Sequence, residues 1–176
     1  MQIEDEILLW ESVKSKKGSY YYWTFLNADE TPLAVCALEK YVDHKSLQGR
    51  KADYLAIGWY HGECYIVIIE LRKTLLKEDQ SENKVEQLRQ SIELLVSDGL
   101  LSEIESCDFF SYGCDQPKYY HIAGVVIPST HSKKRAQTRQ KIIVNGKKYL
   151  VVSIPNSLIR QCRINWSDLL RALADK

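Results

Sequence analysis

No stretch of this sequence approaches the roughly 20 consecutive apolar residues that a membrane-spanning helix needs, so no membrane partner is expected. The chain also lacks a charge imbalance: 24 Lys and Arg stand against 23 Asp and Glu, for a net charge of +1. No overall field therefore points to a polyanion, and any nucleic-acid surface has to be a local patch. Met1 to Trp10 is acidic and lacks the positive start and apolar stretch of an export signal, which leads us to expect a cytoplasmic protein. There is no C-x-x-C; the five cysteines, at 36, 64, 107, 114 and 162, are odd in number and scattered. Cys107 and Cys114 flank an aromatic loop, but their spacing does not suit structural zinc. Cys36 and Cys64 lie in apolar runs and read as small buried hydrophobes. Internal repeats and low-complexity tracts are missing too.

What is present is the mix of an ordinary globular protein, 45% apolar and 27% charged over 176 residues. That length suits a single domain, 1–176. Ile7 to Val13 and Tyr20 to Leu26 read as an N-terminal hairpin. Thr31-Pro32 has the chemistry of a helix start, and Leu33, Ala37, Leu38 and Tyr41 recur at helical spacing, so a helix is predicted over 32–44. Two strands follow, Asp53–Tyr60 and Cys64–Leu71, around the turn His61-Gly62. The second is apolar on both faces and belongs inside a covered sheet. A charged loop at 77–83 precedes a helix over 84–98, with Val85, Leu88, Ile92 and Leu95 as its buried stripe and Gly99 as its stop. A short helical turn is read at 100–105, and a strand at 119–127. Asn145-Gly146 centres a C-terminal hairpin over 141–154, and a last helix opens at Asn165 to Asp168. The fold class is α/β (or α+β), a central mixed β-sheet flanked by helices.

The hairpin geometry carries the chemistry. With a two-residue turn at His61-Gly62, paired residue numbers sum to 123, which sets Asp53 opposite Glu70. Cross-strand partners project to one face with Cβ atoms roughly 4.5–5.5 Å apart. The rest of that face is apolar: Leu55, Ile57, Trp59, Ile66 and Ile68. Two carboxylates so placed repel each other, and something positive is expected beside them. Arg72, two residues past Glu70, shares the face. A divalent cation held by oxygen ligands would also relieve the repulsion and supply a Lewis acid.

Asp53 in Lys51-Ala52-Asp53-Tyr54-Leu55, with Glu70-Leu71-Arg72 at the end of Ile66 to Ile69, resembles the PD-(D/E)XK nuclease superfamily, the restriction-endonuclease-like fold. The resemblance covers residues 30 to 98 and implies a nuclease-like core over about 30–127. It implies Mg²⁺ (or Mn²⁺) on Asp53 and Glu70, with Glu39 as the acidic residue contributed by the first helix. It implies catalytic roles for Asp53, Glu70, Arg72 and Gln87, the last in Asn83-Lys84-Val85-Glu86-Gln87-Leu88, where members place a glutamine beside the site. The sequence departs from the pattern in three respects. Arg72 stands where Lys is usual, and it cannot act as a base. No strand is read between the first helix and the Asp strand. No proline precedes Asp53.

The basic segment with Lys133, Lys134, Arg135 and Arg139 suits phosphate contact, since Lys and Arg clusters bind the backbone without reading sequence; the same residues also suit a solvated loop. Tyr20 to Trp23 suits either a half-buried strand or base stacking. The expected function is a metal-dependent nuclease hydrolysing phosphodiester bonds of DNA or RNA. The alternative is a catalytically inactive nuclease-like domain that binds nucleic acid or a protein partner, as a homo-oligomer or inside a larger complex.

Overall fold

The computed structural model describes residues 6–10, 22–26, 31–49, 51–72, 78–106, 119–128, 138–159 and 163–174. The longest strand is the one whose side chains are apolar on both faces. In β5 (Glu63–Arg72), Ile66, Val67, Ile68 and Ile69 are all fully buried, each stabilising the fold by roughly 1.5–3 kcal/mol relative to exposure. β5 pairs antiparallel with β4 (Tyr54–Tyr60) in the expected register, Tyr60 opposite Glu63 and Tyr54 opposite Ile69. The turn between them is the two residues His61 and Gly62, both at positive φ, the conformation that matches the twist of a tight hairpin.

β4 also pairs antiparallel with β3 (Leu33–Ala37), which corrects the predicted helix over 32–44. Only α1 (Leu38–His44) is helical. The spacing of Leu33, Ala37, Leu38 and Tyr41 fits a helix, but Leu33, Val35 and Ala37 also alternate at the strand period. Pairing along the free edge of β4 satisfies the backbone and decides the outcome. β3 lies ahead of α1, and between α1 and β4 the chain forms no strand, as the sequence reading expects.

β5 leads into α2 (Glu78–Ser97). The expected charged loop at 77–83 is helical from Glu78 onward; Glu, Gln and Lys are good helix formers, and acidic residues suit a first turn. Gly99, in the left-handed conformation, separates α2 from α3 (Leu100–Glu105). β6 (Tyr120–Pro128) lies parallel to β5. β7 (Thr138–Val144) and β8 (Lys147–Ser153) form the hairpin at Asn145-Gly146, with β8 parallel to β6. The six-stranded mixed sheet runs in the order β3-β4-β5-β6-β8-β7. A second sheet joins β1 (Glu6–Trp10), β2 (Tyr22–Leu26) and β9 (Arg163–Asn165), in that order. β1 and β2 pair antiparallel, as the N-terminal hairpin reading expects.

The chain is thus α+β, with helices on both faces of the main sheet. On one face Leu88, Ile92 and Leu95 of α2 pack on Leu55, Ile57, Ile66 and Ile68, with Leu38 and Val42 of α1 beside them. On the other face α4 (Trp166–Ala174) lays Trp166, Leu169, Leu170 and Leu173 against Val67, Ile69, Val125 and Val152. Gly58 makes that second layer possible: a Cβ there would lie 2.7 Å from Nε1 of the buried Trp166. The Asn165 side chain accepts a hydrogen bond from the Ser167 N–H at 3.1 Å, in the manner of a helix cap. Cys64 is buried as expected, whereas Cys36, on the outer face of edge strand β3, is exposed. Among the described residues no helix is long and apolar enough to cross a membrane.

Candidate functional site

The β4–β5 ladder ends at Tyr54 and Ile69, and the next residues on each strand are Asp53 and Glu70. Three neighbours hold the backbone that enters Asp53. The Leu38 N–H, where β3 passes into α1, donates to the Asp53 carbonyl at 2.9 Å. The Ala52 N–H donates to Ser91 Oγ of α2 at 2.8 Å. Gln87 Nε2, one turn earlier on α2, donates to the Lys51 carbonyl at 3.2 Å. Asp53 Oδ2 then accepts the Leu71 N–H at 2.7 Å, continuing the ladder through a side chain. Carboxylates fixed in this way keep their geometry when a ligand arrives.

Glu70 is fully buried, on the face covered by α2. Its counter-ion is Lys84, whose Nζ forms an ion pair with Glu70 Oε1. Burial raises the Asp53 carboxyl from the ordinary carboxylate range to about 6. The Leu71 N–H and the Lys84 charge pull it down, while the charge of Glu39 pushes it further up. The site therefore combines one buried carboxylate neutralised by an ammonium with a second carboxylate that changes charge near pH 6.

The expected residues fall out as follows. Asp53 and Glu70 occupy the positions just past the last β4–β5 pair, Tyr54 and Ile69. Glu39, in the first turn of α1, is exposed and near enough to act on Asp53 through its charge. Gln87 reaches the Lys51 backbone and so positions the loop into Asp53. Arg72 is the last residue of β5, and its side chain lies outside the described residues, as do Lys133, Lys134 and Arg135. Arg139 is described: its guanidinium donates to the carbonyls of Ala172 and Leu173 at 3.0 Å each. There it closes the C-terminal end of α4, where a positive charge is favourable.

Lys84 supplies the positive charge that the sequence reading expected beside the carboxylates. It lies four residues before Leu88, on the same side of α2 as the buried stripe. That spacing was the available signal, because a lysine one turn ahead of a core-facing stripe reaches the rim of the layer beneath. Among the described residues no group of three or more His, Cys, Asp or Glu is placed to hold a metal ion. Compared with family models, with curated proteins and with solved structures, the chain matches none.

Proposed function

We propose that this chain is a metal-dependent nuclease that hydrolyses phosphodiester bonds of DNA or RNA, with Asp53, Glu70 and Lys84 at its centre. One observation carries the reading. The two positions that follow the last pair of the β4–β5 ladder are both carboxylates, with an ammonium joined to one of them. Such an arrangement is costly for folding, since it buries like charges together, and it makes sense where the charges have work to do.

The donor set suits Mg²⁺ or Mn²⁺. Magnesium is commonly held by one or two carboxylates together with water and substrate phosphate, without an all-protein cage. Burial disfavours the Asp53 anion, and a bound cation would offset that penalty. Asp53 and Glu70 would hold the ion, with Glu39 adding negative potential from α1. When bound, it supplies Lewis-acid polarisation of a phosphoryl oxygen and a more acidic water. The chain's own groups do the rest. Lys84 Nζ places a positive charge where negative charge develops on the phosphate during attack. Gln87 and Ser91 keep the 51–53 backbone in register, so that Asp53 does not drift as charge moves.

The resemblance to the restriction-endonuclease-like fold belongs to this proposal. It is supported by the strand β3 ahead of the Asp strand and by the antiparallel β3–β4–β5 run with β6 parallel beside β5. In this reading Lys84, from the helix, takes the place of the lysine usual two positions after Glu70. The second reading, a nuclease-like domain that binds without cutting, draws on the same ion pair, because Lys84 already neutralises Glu70 without a metal.

The test is digestion of labelled single- and double-stranded DNA and RNA with Mg²⁺ or Mn²⁺. Cleavage by the wild type that Asp53→Asn and Lys84→Met both abolish supports the nuclease. No cleavage of any of the four substrates overturns it in favour of the binding domain, and cleavage that survives Asp53→Asn places the active site elsewhere.

A further inference from the structure

A second constellation lies at the other end of β5 and on the opposite face of the sheet. Glu63 opens the strand seven residues before Glu70, roughly 23 Å away along an extended chain. Side chains at alternating positions share a face, so Glu63 and Tyr65 lie on the α4 side and Glu70 on the α2 side. The parallel register of β5 and β6 sets Tyr65 beside His121. Their rings stack, with centroids 4.8 Å apart and planes 24° from parallel. Glu63 Oε2 accepts the Tyr65 hydroxyl at 3.4 Å and lies 3.2 Å from His121 Nε2, so one carboxylate borders both rings. Tyr119 meets the edge of His121 at 5.4 Å and is 61% exposed. The result is a small aromatic platform whose parts are held in place before any ligand arrives.

The platform borders a cleft of about 1270 Å³, lined by Glu63, Tyr65 and His121 on one side and by Lys141 and Lys148 on the other. Lys141 faces Leu150 across the β7–β8 ladder, and Lys148 is two residues from Leu150 on the same face. The two lysines are thus diagonal neighbours, with backbones roughly 7–8 Å apart. Both are exposed, and neither forms an ion pair among the described residues. The one carboxylate in the cleft, Glu63, is already engaged by His121 and Tyr65. What is left over is two ammonium groups facing an aromatic surface.

We infer that this cleft binds a nucleotide unit, with its phosphate between Lys141 and Lys148 and its base against His121, next to Tyr119, which stands just outside the lining against the edge of His121. Rings pre-set for stacking accept any base through its π-face, and paired lysines take up phosphate as point charges. The same chemistry can come from a free nucleotide or from one residue of a single strand. The inference does not rest on the nuclease reading, because the cleft shares neither a face nor a side chain with Asp53 and Glu70.

The experiment is fluorescence anisotropy of a 5′-labelled single-stranded octanucleotide, in chelator so that metal-dependent steps are silent. Unlabelled mononucleotide and pyrophosphate serve as competitors. The wild type is expected to bind. Lys141→Ala/Lys148→Ala is expected to weaken binding at least about tenfold and to flatten the salt dependence by about 0.7 in log–log slope, the share of the one phosphate that the two lysines no longer neutralise. Tyr119→Ala is expected to weaken it about tenfold without changing the slope. Displacement by mononucleotide assigns the cleft to free nucleotides, and displacement by strands alone assigns it to nucleic acid. No binding of the octanucleotide or the mononucleotide overturns the inference, as does binding unaffected by the double lysine variant. Displacement by pyrophosphate as effective as by mononucleotide overturns the role of the rings. The three substituted side chains are exposed, and unchanged melting temperatures show that each variant is folded.

Discussion

The two ends of β5 each carry a glutamate with a basic partner, yet burial sets them apart. At the far end Glu70 is fully buried and paired with Lys84. At the near end the Glu63 side chain is 46% exposed and its partner His121 40% exposed. Water screens the second pair, so breaking it changes stability little. The first pair sits where screening is weak, so removing either partner leaves a charge that the interior solvates poorly. A glutamate beside a basic group is therefore shielded from water at one end of the strand and open to it at the other.

The sharpest way to break this contrast is Lys84→Met. Taking the ammonium away from buried Glu70 is expected to cost about 3 kcal/mol or more of stability, read by urea denaturation at pH 7. A cost below about 1 kcal/mol would mean that the far end is as well screened as the near one.

The pH dependence comes next. The carboxyl of Asp53 is raised from 3.8 to about 6 in the folded chain, chiefly by burial. A folded-state value above the unfolded one means that folding favours the protonated form. Its contribution is therefore fully present below about pH 3.8 and is lost as pH rises through 6. Two pH units correspond to about 3 kcal/mol, an upper figure because other groups titrate in the same range. Asp53→Asn keeps an oxygen for the Leu71 N–H and removes the titration. The stability of wild type minus variant is expected to fall by about 2–3 kcal/mol between about pH 4 and pH 7. A flat difference would mean that burial does not hold the Asp53 carboxyl above its ordinary range.

Gln87→Ala should cost about 1 kcal/mol, the usual net worth of one hydrogen bond, and should lower any Asp53-dependent activity by loosening the 51–53 backbone. The smallest effect is expected at the near end. Glu63→Gln should change stability by less than about 1 kcal/mol, measured in the same urea series, while altering how His121 and Tyr65 are held.

Much of the far end was legible in the sequence because it depends on local rules. A two-residue turn at His61-Gly62 fixes every pair that follows it, and so fixes Asp53 against Glu70. The continuous apolar run of β5 and the buried stripe of Leu88, Ile92 and Leu95 follow in the same way. Leu33–Ala37 was not legible, since its residues satisfy both periods and only pairing with β4 selects one. The spacing of Lys84 from Leu88 puts the lysine at the rim of the buried face, but which carboxylate it meets depends on how α2 lies across the sheet, which no local pattern states. The near end was hidden for a related reason. Glu63 meets His121, 58 positions further along the chain, only through the parallel pairing of β5 with β6, and Lys148 joins them from a third strand.

The central claim is that Asp53 and Glu70 act together as one cation site, and calorimetric titration with Mn²⁺ tests it most directly. The wild type is expected to bind Mn²⁺ at about pH 7.5, where Asp53 is ionised, and more weakly near pH 5, where a proton must first leave it. Asp53→Asn and Glu70→Gln are each expected to weaken that binding at least about tenfold, the loss that removing a single ligand-supporting group commonly brings. No binding by the wild type, or equal binding by all three proteins, would contradict the account.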